Sequence, residues 1–324
     1  MRKFVHVNAR AVDEAVSVLQ RYGGKARVIA GGTDLLGKMK DEILPTSPEV
    51  IINLKSIPGL DFIREEEGML RIGALTRLED IATDPLVRSK YRALAEAAHR
   101  TASPHIREMG TIGGNICQDI RCWYYRNPHN RFPCLRKGGG RCYAIEGDNR
   151  YHSIFDSSVK GGCLAVHPSD TAPALVALDA MVQTSKRLIH AEDFFEVGVT
   201  KTTVLEPDEI VTEIQMKVPS AGAKSSFGKF ASRKTIDFPI VNCAAMITTS
   251  GGKVGSARIC LNAVYVTPYR TTKAEESIRG RVVDETTARA AGDVAVFQAK
   301  PLRHNRYMVQ IARTMVERVI LACR

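Results

Sequence analysis

Five of the chain's eight cysteines, Cys117, Cys122, Cys134, Cys142 and Cys163, fall between residues 110 and 175. The same stretch is basic: Arg121, Arg126, Arg131, Arg136, Lys137, Arg141, Arg150 and Lys160 stand against Glu146, Asp148 and Asp156. Thiolates are soft, anionic metal ligands, and neighbouring cations offset the charge of a thiolate-bound centre. Cys117 and Cys122 form C-x4-C, which begins like a plant-type [2Fe–2S] signature, but the position that needs the next cysteine holds Tyr125. The C-x2-C knuckles of structural zinc sites are absent as well. What remains is the irregular series Cys122–x11–Cys134–x7–Cys142–x20–Cys163. Spacing alone fits buried thiols with one or two reactive ones just as well. Gly138, Gly139 and Gly140 before Cys142 weigh toward a cluster, because they let backbone approach closely and offer N–H groups to sulfur.

Two glycine turns offer a second chemistry. Residues 26–30 read as an apolar strand, Gly31-Gly32-Thr33-Asp34 as a turn with a Thr/Asp-capped helix start, and Leu35 through Met39 as the helix. Exposed N–H groups and the positive helix end favour an anion there, although such turns are common in any fold. The second turn, GTIGGNIC at residues 110–117, is G-x-x-G-G-N. It is neither the G-x-G-x-x-G of a Rossmann unit nor a P-loop. Together, Gly31-Gly32 and Gly113-Gly114 are suited to clasp one pyrophosphate from two sides. Downstream, residues 164–167 read as a strand leading to Pro168-Ser169-Asp170, and residues 171–180 as an apolar helix. Asp170 at its mouth either caps the helix or meets a ligand. His167 reads as a hydrogen-bonded structural histidine. Lys229, on a strand at 227–231, either reaches an anionic cofactor across a domain boundary or is a solvated strand lysine.

The surrounding elements are short and alternating. Strands are expected at 4–7, 50–53, 62–63, 70–72, 181–183 and 209–217, and helices at 12–22, 77–82 and 91–102, which indicates an α+β or α/β domain. The run at 220–226 reads as a linker. Beyond it come apolar strands at 241–248 and 257–265, with Cys243 and Cys260 as core thiols, and helices at 272–279, 285–297 and 305–322. The 324 residues therefore divide into a domain over 1–219, with a cysteine-bearing insertion at about 117–163, and an α+β domain over 225–324. The net charge of +11 is spread along the whole chain, without a recognition helix or zinc-finger spacing, so nucleic acid is not the expected partner. An acidic protein partner or a large complex accounts for the charge. No tract is long enough to span a membrane, and the N-terminus has no secretory pattern; the expected setting is cytoplasmic, with reduced thiols.

AGGTDLL at 30–36, TIGGN at 111–115, HPSDTAPAL at 167–175 and KFASRKTIDFPIV at 229–241 resemble the flavin-binding subunit of the xanthine dehydrogenase/molybdenum hydroxylase family. The likeness covers essentially the whole chain. The cysteine insertion is similar to a smaller branch, typified by the 4-hydroxybenzoyl-CoA reductase β subunit and by the flavin subunit of a bacterial molybdenum aldehyde oxidoreductase. The resemblance implies an α+β fold: a two-subdomain, PCMH-like FAD-binding domain and a C-terminal α+β domain. It implies FAD contacts at Ala30, Gly31, Gly32, Thr33, Asp34, Leu35 and Leu36, at Thr111, Gly113, Gly114 and Asn115, and at Asp170 and Lys229. It also implies an extra [4Fe–4S] cluster on Cys122, Cys134, Cys142 and Cys163, with Cys117 belonging to the flavin turn.

The implied role is electron transfer, with no catalytic residue on this chain. Molybdopterin and [2Fe–2S] motifs are missing, so a large molybdenum subunit and a small two-[2Fe–2S] subunit are expected partners, in a heterohexamer built as a dimer of heterotrimers. Hydroxybenzoyl-CoA, aldehydes and N-heterocycles such as xanthine all remain open as substrates. Outside this class stands a zinc- or nucleic-acid-binding module. Arg121, Arg126, Arg136, Lys137 and Arg141 are expected to form a basic face for an acidic carrier such as ferredoxin.

Overall fold

A computed structural model describes residues 1–44, 46–156, 162–196, 198–233 and 236–324. Lys160 and Gly161 of the cysteine stretch, and Lys234 and Thr235 of the motif after Lys229, lie outside the described residues. The chain begins with a small parallel sheet in the order β1-β3-β2: β1 (Val5–Asn8), β2 (Ala26–Ile29) and β3 (Val50–Asn53). Val50, Ile51 and Ile52 of the central strand are all buried, as a parallel strand covered on both faces requires. The helix Val12–Tyr22 connects β1 to β2 with Ala15 and Leu19 buried, at the bounds its periodicity predicts.

An antiparallel sheet follows in the order β4-β5-β8-β6-β7. Its strands are β4 (Ile63–Glu66), β5 (Met69–Gly73), β6 (Met181–Thr184), β7 (Leu188–His190) and β8 (Val211–Lys217). The last third builds a four-stranded antiparallel sheet, β12-β11-β10-β9, from β9 (Ala223–Phe230), β10 (Val241–Ser250), β11 (Lys253–Asn262) and β12 (Tyr269–Arg270). Helices Thr272–Ile278, Glu285–Val296 and Tyr307–Leu321 complete its core. The helix Thr171–Ala177 joins the two larger sheets, and every one of its residues is buried. One apolar cluster runs from Leu70, Ile72 and Ile214 through Leu175 and Val176 to Ala244 and Cys260. Cys243 and Cys260 are core thiols, as expected.

Two expectations change. Residues 220–226 are not a linker: they hold a turn and the first residues of β9. This polar run survives inside the fold because its serines are satisfied, Ser226 Oγ donating to the Val319 carbonyl at 2.7 Å and Ser225 Oγ accepting from the Ala93 N–H at 3.2 Å. The strand expected at 164–167 reduces to a single bridge between Val166 and Arg121. The cysteine stretch has 3-10 turns at Pro128–Asn130 and Leu135–Lys137 and a small core of its own, with Ile120, Tyr125, Cys134, Cys163, Ala165 and Val266. Among the described residues no helix is long and apolar enough to cross a membrane.

Candidate cofactor sites

The two glycine turns meet. Gly31 lies so close to the second turn that a Cβ on it would sit 2.1 Å from the Met109 carbonyl oxygen and 3.0 Å from Gly110 Cα. Gly32 has φ +73°, which glycine adopts without strain. Among the described residues, the N–H groups of Gly31, Gly32, Thr33 and Asp34 find no acceptor, while the helix Leu35–Lys40 starts directly behind them. In the second turn, residues Ile112–Ile116 are themselves helical. Thr111 caps this short helix, its Oγ1 accepting from the Gly114 N–H at 3.1 Å. Gly113 abuts Ala74, where a Cβ would stand 2.9 Å from the carbonyl oxygen; at Gly114 a Cβ would meet only the Thr111 hydroxyl, at 3.1 Å. Ala30, Leu35 and Asn115 are partly exposed along this cleft, and Leu36 is exposed.

Behind the turns lies a buried polar knot that ties the second glycine turn and the start of the helix Thr171–Ala177 to the four-stranded sheet. Asp170 does not cap its helix. Its Oδ2 takes a hydrogen bond from Lys229 Nζ at 2.6 Å and its Oδ1 one from Asn242 Nδ2 at 2.8 Å. Lys229 also donates to the Arg100 carbonyl at 2.8 Å. Both side chains of the Asp170–Lys229 pair are 4% exposed, so Lys229 is no solvated strand lysine. Burial pushes the Asp170 carboxyl up, against the pull of Lys229. Ser169 caps the helix instead, accepting from the Ala172 N–H at 3.0 Å. Ser169 and Thr171 hydroxyls both donate to Asn115 Oδ1, at 2.5 and 2.7 Å, which ties the second glycine turn to this knot. Asn242 Oδ1 and Asn262 Oδ1 are buried without a donor among the described residues. The sequence reading passes over Ser169, Asn242 and Asn262; the usable signal is an asparagine inside each of two long apolar strands. His167 is fully buried edge-to-face on Phe195, with centroids 4.7 Å apart, and neither ring nitrogen has a hydrogen-bond partner among the described residues. Asn262 lies beside the ring and favours its charged form, but burial dominates and lowers His167 to about 3.

The four cysteines Cys122, Cys134, Cys142 and Cys163 are close enough to feel one another's charge. Backbone N–H groups point at their sulfurs: those of Tyr124 and Tyr125 at Cys122, of Arg136 and Lys137 at Cys134, and of Ala144 and Leu164 at Cys142. Of the three glycines, Gly139 makes the close backbone approach expected, but its N–H and that of Gly138 go to carbonyls and not to sulfur. Gly139 crosses the backbone at Pro133, where a Cβ would lie 1.7 Å from the carbonyl oxygen, and its N–H goes to the Cys134 carbonyl. Burial raises the Cys122, Cys134 and Cys142 thiols, Cys122 to about 12. Beside them, Lys137 Nζ is buried with no hydrogen-bond partner among the described residues, and so are Arg136 Nε and Nη2. Among the described residues no three His, Cys, Asp or Glu side chains converge on one ion position. A four-iron cube takes one thiolate at each corner, so its ligands surround a volume and do not meet at a point. Cys117 lies apart, exposed after the second turn.

Of the five cations expected to form a carrier face, Arg141 is exposed and the other four are drawn inward. Arg136 and Lys137 are buried, and Arg121 lies over the rings of Tyr151 and Phe238 at 5.3 and 5.0 Å. Arg126 Nη1 pairs with Asp34 Oδ1 at 2.5 Å and Nη2 donates to the Asp119 carbonyl at 2.6 Å. These cations turn inward because the buried thiols and carboxylates are there. Asp34 correspondingly makes no side-chain cap: its Oδ2 accepts from the Asp119 N–H at 3.0 Å. The Asp34 carboxylate bolts the first glycine turn to the cysteine loop. Lys38 Nζ and the Tyr125 hydroxyl both reach Asp119 Oδ2, completing that strut.

Residues 2–220 match the FAD binding domain in molybdopterin dehydrogenase, and residues 226–323 match the CO dehydrogenase flavoprotein C-terminal domain. The chain is 33% identical to the aldehyde oxidoreductase FAD-binding subunit PaoB of Escherichia coli K12, over 100% of this chain and 99% of that one. It is 29% identical to the carbon monoxide dehydrogenase medium chain of Hydrogenophaga pseudoflava, over 99% and 96%. A carbon monoxide dehydrogenase from Hydrogenophaga pseudoflava, solved without the Mo-pyranopterin moiety of its cofactor, superposes with a TM-score of 0.78 at 28% identity, covering 99% of this chain and 97% of that one. With both domain matches in the expected order and a relative aligned end to end, the chain belongs to the family of FAD-binding subunits of molybdopterin-type dehydrogenases.

Proposed function

We propose that this chain is the electron-transfer subunit of a three-component dehydrogenase and carries a [4Fe–4S] cluster beside its FAD. The observation that carries the reading is the group of four thiols, with backbone N–H groups directed at three of them and the Lys137 ammonium buried beside them, over the Tyr125 ring at 5.7 Å and without a hydrogen-bond partner among the described residues. A buried ammonium without a counter-charge is costly, and a cluster with four thiolates supplies the missing negative charge. Cys122, Cys134, Cys142 and Cys163 would hold the cluster. The N–H groups of Gly31, Gly32, Thr33 and Asp34 would meet the FAD pyrophosphate, against the backbone at Thr111, Gly113, Gly114 and Asn115. Lys229 and Asp170 would face the polar edge of the flavin ring, with Asn242 and Asn262 behind them.

When bound, the flavin supplies the exchange between two-electron and one-electron chemistry. The chain's own part is placement. The abutting turns would hold the pyrophosphate, the Asp170–Lys229 pair would meet the flavin, and the Asp34–Arg126 pair holds the cysteine loop against the first turn. Substrate oxidation would then fall to a large molybdenum subunit, reached through a small subunit with two [2Fe–2S] clusters. Among substrates an aldehyde is favoured over hydroxybenzoyl-CoA and N-heterocycles, because the relative aligned over its full length at 33% identity is an aldehyde oxidoreductase subunit. The test is flavin and iron analysis of anaerobically purified protein, with EPR of the reduced form. One FAD and about four irons per chain support the reading; flavin without iron reduces it to a flavin subunit, and zinc without flavin overturns it.

A further inference from the structure

We propose that His152 donates an Nε2–H hydrogen bond to the Cys122 sulfur and thereby sets how readily the four-cysteine centre takes up an electron; the inference rests on the cluster reading above. His152 Nε2 lies 3.2 Å from Cys122 Sγ. The residue is 1% exposed, and its Nδ1 is buried without a partner among the described residues. A neutral imidazole carries one N–H. A cluster-bound Cys122 sulfur can only accept, so the proton between it and His152 belongs on Nε2.

The ring is held in that orientation from outside the loop. The His152 N–H donates to the Asn149 carbonyl at 3.1 Å. Its carbonyl accepts from Asn305 Nδ2 at 2.9 Å, and the same nitrogen donates to the Ser153 carbonyl at 3.0 Å. Asn305 is fully buried and belongs to the C-terminal third, so the backbone under His152 is clamped by a different part of the fold. Tyr124 packs beside the ring, with centroids 6.1 Å apart. Cys134 and Cys142 each receive two backbone N–H groups, whereas Cys122 receives two and the imidazole as well. Cys122 and His152 also line a cavity of about 290 Å³ with Arg121, Trp123, Tyr151 and Phe238. Hydrogen bonds to cluster sulfurs stabilise the reduced, more negative state and raise the reduction potential. His152 is accordingly a positioning and tuning residue, not a ligand.

The experiment is an EPR-monitored redox titration of the full chain, with iron and flavin content measured on the same samples. His152→Leu removes the donor and should make reduction roughly tenfold less favourable, which for a one-electron couple is about 59 mV. His152→Gln, whose amide nitrogen reaches the place of Nε2, should restore most of that shift. Full iron content with an unmoved potential in His152→Leu overturns the inference, and so does an equal shift in the Leu and Gln variants, which would point to packing or solvent entry. If His152→Leu loses its iron, His152→Gln decides: a retained cluster at the wild-type potential supports the N–H role, and lost iron overturns it. Wild-type protein without iron overturns the cluster reading, and this inference with it; wild-type protein with iron isolates the failure to His152.

Discussion

Replacing Asp170 with alanine should destabilise the flavin-free protein by about 3–4 kcal/mol. Lys229 Nζ sits 2.6 Å from the carboxylate, and both side chains are 4% exposed. Removing one partner of a buried pair costs about 3–5 kcal/mol, because the other charge stays buried. The Asn242 amide loses its acceptor too, which adds to the cost at about 1–3 kcal/mol for an unmet buried group. The Arg100 carbonyl, 2.8 Å from Lys229 Nζ, offsets part of this and places the sum near the lower bound. At about 2–4 °C per kcal/mol for domains of 150–250 residues, the melting temperature should fall by roughly 6–16 °C. The double variant Asp170→Ala/Lys229→Met removes the stranded ammonium and should recover most of the loss, a non-additivity expected of groups in direct contact. Differential scanning calorimetry on flavin-stripped samples, followed by the same scans with FAD, measures both effects. A single variant melting within about 2 °C of wild type, or a double variant that melts lower still, would refute the buried-pair argument.

Three further outcomes are expected. Gly113→Ala should misfold or melt low, since its Cβ would stand 2.9 Å from the Ala74 carbonyl, whereas Gly114→Ala should fold normally and lose FAD affinity, as flavin release and thermal melting will show. Cys134→Ser should lose about four irons per chain by colorimetric analysis and keep its flavin, because serine is a poor substitute for a soft thiolate; unchanged iron content would move the ligand assignment to Cys117. Burial alone would raise Asp119, but Lys38, Arg126 and Tyr125 hold it down at about 2. Its folded value lies below the usual 3.9 or so, so its stabilisation is complete above about pH 4, disappears as pH falls through about 2, and amounts to about 2 kcal/mol. Asp119→Asn should flatten that part of the acid limb in urea titrations of the iron-free protein, and an identical limb in wild type and variant would count against the strut.

The parts of the fold that the sequence makes legible are those written in local pattern. The helix Val12–Tyr22 and the strand Val50–Asn53 appear at their expected bounds, because an apolar stripe and an apolar run each have one way to be buried. The first half of the strand Ala223–Phe230 was hidden, because SAGAKSS reads as loop until tertiary partners satisfy its serines. At the site, residue types were legible and pairings were not. Asp34 and Arg126 are 92 positions apart, and nothing local says that one carboxylate leaves its helix to meet the other's guanidinium. Arg136 and Lys137 read as surface charges, since lysine and arginine are seldom buried unpaired. The thiols other than Cys134, the Asp119 carboxylate, the Tyr125 ring and the Lys201 carbonyl that meet these two are all distant in the local pattern.

The fully buried helix Thr171–Ala177 also bears on how this protein can be taken apart. Two family descriptions divide the chain between residues 220 and 226, which invites its treatment as two interchangeable modules. The apolar cluster ignores that division, since Ala244 and Cys260 pack with Leu175, Val176 and Ile214. A cut at residue 222 would strip the helix of one wall and bare a greasy face on each fragment, at the same stroke opening the Asp170–Lys229 pair. Neither half should therefore be soluble alone, and swapping C-terminal halves between relatives should succeed only where the residues lining Thr171–Ala177 are swapped as a set.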